Sequence, residues 1–142
     1  MDRAEMTLTD DSEKALEALG EAAVRALGKC GSAAEEHARE NITRNGSVAT
    51  GRLRDSITHA VDEAGRSVDI GTGIGYGVYV ELGTGRYYPG GRQTPWAWRD
   101  SAGNWHRTHG QRPKPFIAPS VSRHIGEYRR MIEQEFSDKK EG

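Results

Sequence analysis

The residues able to do chemistry are few, and most stand in the wrong company. The run Gly71-Thr-Gly-Ile-Gly-Tyr-Gly77 has the glycine density of a phosphate cradle, but a dinucleotide fingerprint needs glycines at its first, third and sixth positions. Counted from Gly71 the sixth residue is Tyr76, counted from Gly73 it is Val78, and no Gly-Lys-Ser/Thr follows. The run reads instead as a tight connection between strands, where positive φ is needed. His106 and His109 have a metal-like spacing with no cysteine or further acid close by, and His59 lies in a strand pattern, where a packed, hydrogen-bonded ring is the ordinary outcome. Glu81 has no second carboxylate or nucleophile beside it. It reads as a carboxylate held by Arg86, by the backbone amides of Gly83-Thr84-Gly85 or by a neighbouring subunit. Cys30 is the only cysteine, so no internal disulfide forms. No catalytic group, no cofactor and no metal ligand is expected.

What remains is recognition chemistry. Arg86, Arg92, Arg99, Arg107, Arg112 and Lys114 face one acid, Asp100, so segment 86–114 carries +5 while the rest of the chain carries −6. All three tryptophans, Trp96, Trp98 and Trp105, fall in the same segment. Trp96 and Trp98 share one face of an extended stretch, and Trp105 returns after the turn Arg99–Asn104, which predicts a β-hairpin clasped by aromatic pairs. Two outcomes stay open: a hydrophobic cluster tucked under a long loop, or a protruding arm that inserts into a partner. The charge leaves a similar choice between a solvated loop and contact with an acidic neighbour or a phosphate backbone.

These groups must be positioned by a small fold. The chain has 142 residues, 35% hydrophobic and 29% charged, so one domain with a modest core is expected, stabilised in part by partner copies. Residues 1–11 read as disordered. From Ser12 to Arg44, Leu16, Leu19, Ala23, Leu27, Cys30, Ala34, Ala38 and Ile42 recur every three or four positions, a long helix with Asp10 and Glu13 as its capping box and Gly28 and Gly31 as its bend. Thr50 caps a short turn that points Leu53 and Ile57 inward. Two strands follow, carrying Ile57, His59 and Val61, then Val68 and Ile70. Tyr76, Val78, Val80 and Leu82 alternate with Tyr79 and Glu81, predicting a third strand over 76–82 ended by Gly83 and Gly85. The insertion 86–112 comes next. A proline-stiffened link drops Phe116 and Ile117 into the core, and a final helix begins near Pro119 with Val121, Ile125, Tyr128, Ile132 and Phe136 on one face. Residues 137–142 read as a flexible tail. The fold class is therefore α+β: a small, mostly antiparallel sheet packed by a long N-terminal helix and a C-terminal helix, with a protruding hairpin. With no leading signal segment and no apolar run near 20 residues, a cytosolic origin and no membrane contact are expected.

The order of motifs resembles the small head-to-tail joining and tail-completion proteins of long-tailed bacteriophages. The family pattern Thr-Gly-x-Leu-x-x-Ser-Ile matches Thr50, Gly51, Leu53, Ser56 and Ile57; Tyr-x-x-Tyr-Val-Glu-x-Gly-Thr matches Tyr76, Tyr79, Val80, Glu81, Gly83 and Thr84; Pro-Phe-x-x-Pro matches Pro115, Phe116 and Pro119. The resemblance implies a non-enzymatic virion component made in the bacterial cytoplasm. It would act as a ring of identical subunits, six in number, at the neck or the head-proximal end of the tail, as a terminator, connector or tail-completion protein. Neighbouring neck and tail-tube proteins would be its partners, with DNA passing through the lumen. Tyr79, Glu81, Arg86, Trp96, Trp98, Arg99, Trp105 and Arg107 are the expected interface residues. The rival reading is a nucleic-acid-binding module that uses the basic, tryptophan-bearing segment 86–114 to hold phosphates and stack bases.

Overall fold

The spine of the molecule is one helix, α1, running Arg3–Asn45. The computed structural model describes residues 3–46, 50–64 and 66–141, with side chains over 14–46, 51–64 and 66–137. At about 1.5 Å per residue, α1 is roughly 65 Å long. It begins nine residues before Ser12 and passes through most of the segment expected to be disordered, so Asp10 is inside the helix and not its cap. The side chains of the expected capping box lie outside the described residues.

The buried line of α1 is Ala22, Ala26, Cys30, Ala34, Ala38 and Ile42, every fourth residue. Each such step overshoots a full turn by about 40°, so the line winds around the helix as an inclined ridge. His59 and Val68, and farther along the chain Tyr128, approach the same turn of it, at Gly31 and Cys30. The expected stripe drifts off this ridge at its N-terminal end, where Leu16 and Leu19 are 67% and 48% exposed. Gly28 and Gly31 do not break α1. Gly31 instead permits a close approach: a Cβ there would overlap the His59 ring and Val68.

Against the ridge packs the antiparallel pair β1 (Ile57–Asp62) and β2 (Ser67–Thr72), in register Ile57↔Thr72, His59↔Ile70 and Val61↔Val68. Those three pairs supply the inward face, as the alternation predicts. His59 is the packed histidine expected, with Nδ1 2.8 Å from Glu35 Oε1. Preceding the pair is α2 (Thr50–Asp55), which buries Leu53. The capping role expected of Thr50 lies outside the described side chains. Leu53, Ile57, Ala38, Ile42 and Phe116 form the core cluster, with Ile70, Tyr76, Val80 and Ile117 packed on it.

The expected strand over 76–82 is instead a short helix, α3 (Gly77–Leu82). Alternation could not separate the two, because Tyr76/Val80 and Val78/Leu82 are also i, i+4 pairs. Helical winding sends Tyr76 and Val80 to the core and leaves Val78 and Leu82 42% and 41% exposed. It also turns Glu81 toward the last part of the chain. Glu81 Oε2 accepts the backbone N–H groups of Phe116 and Ile117 at 2.7 and 2.9 Å, and Oε1 accepts that of Ala118 at 2.9 Å. These are the first amides of α4 (Ile117–Ser122). Its N-cap residue, Phe116, has no side-chain acceptor, so a residue 35 positions upstream satisfies donors a local Ser or Asp would otherwise take. The carboxylate also sits at the positive end of the peptide dipoles. Of the partners expected for Glu81, backbone amides are the ones found, but they belong to α4 and not to the Gly83–Gly85 loop.

Backbone hydrogen bonds also join α3 and the residues just after it to segment 109–114. Lys114 N–H donates to the Val80 carbonyl at 2.8 Å, Thr84 N–H to Gln111 at 2.9 Å and Arg86 N–H to His109 at 3.1 Å. Asn41, buried on α1, donates to the Phe116 carbonyl at 3.1 Å, and Asn45 donates to those of Lys114 and Pro115. The proline-stiffened link is thus fixed from both sides.

The C-terminal helix is two helices, α4 and α5 (Ile125–Glu141), separated at Arg123 and His124. Pro119 is in the first turn of α4, where its missing N–H costs little. α5 continues through the expected flexible tail to Glu141, consistent with the helix propensity of its Lys and Glu residues. It runs antiparallel to α1. Arg25 and Lys29 reach Glu135 at 2.8 and 2.6 Å, the Cys30 thiol meets the Tyr128 carbonyl, and His37 meets Glu127. Tyr128 OH donates to the Ser120 carbonyl, and burial, reinforced by Glu127, pushes this phenol up to about 12. Burial likewise raises the Cys30 thiol, which keeps it protonated and unreactive. Val121 and Ile125, expected on the packed face, are 41% and 48% exposed.

Two predictions follow from these contacts. Glu81→Ala leaves three helix-end amides without their acceptor and should cost about 2 kcal/mol of stability in urea unfolding, with E81Q intermediate because an amide oxygen accepts fewer bonds. Lys29, then Arg25, hold the Glu135 carboxyl below its usual range. Its contribution is present above the ordinary carboxylate pKa of about 4.3 and is lost as pH falls through the lower folded value. Thermal melting between pH 7 and pH 3 should therefore show a weaker acid dependence in E135Q than in the parent protein.

Candidate functional site

Beyond α3 the chain builds an arm, and its root is rigid. Gly85 takes φ 59°, and a Cβ there would overlap the His109 carbonyl and the Trp96 ring. That close approach holds the two ends of the insertion together at Thr84–Arg86 and His109–Gln111, where Thr84 Oγ1 also accepts the Gln111 N–H at 2.7 Å. From this root projects the predicted hairpin, β3 (Trp96–Arg99) and β4 (Trp105–Thr108), paired Trp96↔Thr108 through Arg99↔Trp105. It is a separate two-stranded sheet from β1–β2.

The tip is organised by Asp100. Its Oδ1 accepts the backbone N–H groups of Ala102 and Asn104 at 3.0 and 2.8 Å, and its Oδ2 lies 2.7 Å from His106 Nε2. The His106 contact first, then the Asn104 amide, hold this carboxyl below its usual range. His106 in turn stacks on Trp98 with ring centroids 4.6 Å apart. The clasp of the hairpin is therefore Trp98 with His106, the cross-strand pair, and not tryptophan with tryptophan.

Arginine covers aromatic rings along the arm. Arg92 lies 5.6 Å from the Trp96 centroid, Arg99 5.9 Å from Trp105, and Arg86 and Arg112 5.2 and 5.6 Å from Tyr87. Arg86 also donates to Tyr87 OH at 3.1 Å, which lowers that phenol. Trp96 is half-buried at the root, but Trp98 is 45% and Trp105 68% exposed. The tryptophans are thus not a cluster tucked beneath a loop. Trp98 and Trp105 are presented outward, held by ring contacts, at low further entropy cost on meeting a partner.

The structure sorts the eight expected interface residues into three places. Arg86 and Trp96 sit at the root of the arm, and Trp98, Arg99, Trp105 and Arg107 along its hairpin. Tyr79 is on α3, 48% exposed, with its ring 5.3 Å from Tyr88. Glu81 turns away from all of these to α4. Tyr87, Tyr88, Asp100 and His106 belong to the arm and were missed. Their signal was the interleaving of Arg with Tyr in Arg86-Tyr87-Tyr88 and the cross-strand position of His106.

A second exposed apolar feature adjoins α3. A groove of about 540 Å³ is lined by the glycine connection, Val78, Leu82, Phe116 and Ala118. Its lining is mainly apolar, and among the described residues Glu81 is its one charged member. Elsewhere, His37, His124 and Glu127 bring three potential donor atoms within 4.8 Å of one another. Sequence spacing could not show this, because His37 is on α1 and His124 lies 87 positions later in the break between α4 and α5. Among the described residues no helix is long and apolar enough to cross a membrane.

No curated protein and no solved structure gives a match. One family model does, described as "Bacteriophage HK97-gp10, putative tail-component", over residues 4–83. The match takes in α1 through α3, including the Thr-Gly-x-Leu and Tyr-x-x-Tyr-Val-Glu segments, and ends before the arm. Covering more than half of the chain, it establishes that this protein belongs to the HK97-gp10-like family of phage tail-related structural components.

Proposed function

We propose that the protein is a tail-completion or tail-terminator subunit that closes with copies of itself into a ring, six to a turn, at the junction of tail and head. The arm is its main contact to an adjacent subunit or layer. The observation that carries this reading is the outward presentation of Trp98 and Trp105 on a hairpin whose root is locked, in a chain of a phage tail family. Buried aromatic and arginine anchors dominate binding energy at protein interfaces, and here both are displayed by one element. Head-to-tail rings need two different, complementary surfaces on each subunit. The arm supplies one, and the apolar groove beside Val78 and Leu82 is a candidate for the other. Tyr79, on the same helix, meets Tyr88 at the start of the arm, and Glu81 acts indirectly by fixing α3 against α4.

Nothing in this role asks for catalysis; the family's role is structural. The arm also keeps the nucleic-acid reading in view, because Arg99, Arg107 and Arg112 beside open tryptophan faces could hold a phosphate backbone and stack bases. In a neck ring the two uses are compatible.

Deleting residues 92–108 should leave a folded protein, since the core cluster lies wholly outside the arm. Sedimentation and electron microscopy should then show no ring, with circular dichroism preserved; rings formed without the arm would remove its proposed role. Neutralising Arg99, Arg107 and Arg112 together separates the readings. Assembly weakened with no DNA binding at low salt supports the ring contact, whereas tight, salt-dependent DNA binding by the monomer, abolished in the triple variant, supports the rival.

A further inference from the structure

We propose that His37, His124 and Glu127 form a binding site for a divalent transition-metal ion of the Zn2+ class, which staples α5 and the α4–α5 junction to α1. The three residues come from three places: α1, the break between α4 and α5, and the first turn of α5. His37 Nε2 lies 2.8 Å from Glu127 Oε2, and His124 Nδ1 lies 3.4 Å from the same oxygen. The two imidazoles stack almost parallel, with centroids 3.5 Å apart and planes 7° apart.

Several features fit a metal. Zinc bonds of about 2.0–2.2 Å to nitrogen and oxygen, at tetrahedral angles, place donor atoms roughly 3.3–3.6 Å from one another. The donor atoms here lie within 4.8 Å of one another, so the helices already stand at the right separation. Binding requires the stacked rings to turn out of parallel, because a metal lies in the plane of each imidazole that holds it, and the 2.8 Å contact between His37 and Glu127 to open. Two imidazoles and one carboxylate are the ligands of zinc, nickel, cobalt and copper; calcium and magnesium call for oxygen alone. With three protein ligands, the fourth position is left to water. The other nitrogen of His37, Nδ1, is buried and has no hydrogen-bond partner, and Glu40 Oε2 stands 3.7 Å away. At 3.7 Å Glu40 stands beyond hydrogen-bond reach, and only by closing on Nδ1 would it become the carboxylate that fixes the tautomer of a ligating histidine. Glu127 and His124 side chains remain 36% and 31% exposed, which leaves a path for the ion. The Tyr128 hydroxyl is committed to the Ser120 carbonyl and is not a ligand.

Titrating chelator-treated full-length protein with Zn2+ by calorimetry should give one site per chain with a micromolar or tighter Kd and a rise in melting temperature, which Mg2+ does not reproduce. Cobalt should give the visible absorption of a tetrahedral site. H37A, H124Q and E127Q each remove a direct ligand and should weaken Zn2+ binding by at least the roughly 10–100-fold that loss of an outer-shell partner costs, while H106A and H109A should leave it unchanged. If H37A does not fold, H124Q and E127Q decide the matter. Zn2+ binding no tighter than millimolar, or unchanged in H124Q and E127Q, or lost in H106A, would overturn the site. None of these readouts depends on ring assembly.

Discussion

One carboxylate ties α3 to the start of α4, beside the contacts that α1 makes with Phe116 and with α5. Glu81 satisfies three backbone amides at the start of α4, a helix whose own N-cap residue, Phe116, has no side-chain acceptor. The same three bonds seat Phe116 in the core, because its amide is held by Glu81 and its carbonyl by Asn41. Without them Phe116, the largest fully buried side chain among the described residues, would keep only the Asn41 bond to its carbonyl and the bonds that Asn45 and Val80 make to the link before it. An acceptor borrowed from far along the chain costs loop entropy on folding, but it makes α3, α4 and the link one cooperative unit.

The second organising feature is the ridge of small residues on α1. A ridge made mostly of alanine buries little area per residue but lets a hairpin and a helix come close, with β1–β2 and α5 flanking the same turns of α1 around Cys30–His37. Gly31 is the tightest of these approaches. The resulting core is small. Leu16, Leu19, Val121 and Ile125 stay open in the single chain, alongside the arm and the groove. A chain that leaves this much apolar surface uncovered is well suited to completing its burial against other chains, as a tail component does.

Much of this was legible in the sequence, for physical reasons that can be named. The long helix, the β1–β2 pair and the β3–β4 hairpin declared themselves because periodicity and turn chemistry are local, and Phe116 because prolines on either side left it little else to do. The segment 76–82 did not. Its alternating positions are also helical neighbours, and β-rich Tyr and Val were overruled by bonds that Glu81 makes to residues 35 positions away. The α4–α5 break was hidden for a similar reason, since the apolar spacing of the last helix runs straight through it. Of the candidate site, the tryptophans and arginines were visible, but the clasp by His106 and the meeting of His37 with His124 depend on packing between distant segments. The family match reaches only residue 83, so the arm stands on its own geometry.

The account rests on the claim that this chain is a building block whose open surfaces are covered by its own copies. The most direct measurement is the native mass of the full-length protein across a wide concentration range, alone and with tail-tube protein. The account predicts one closed species at a fixed multiple of 15.6 kDa, appearing cooperatively as concentration rises. A protein that remains at 15.6 kDa at every concentration and with the tube protein present would contradict it.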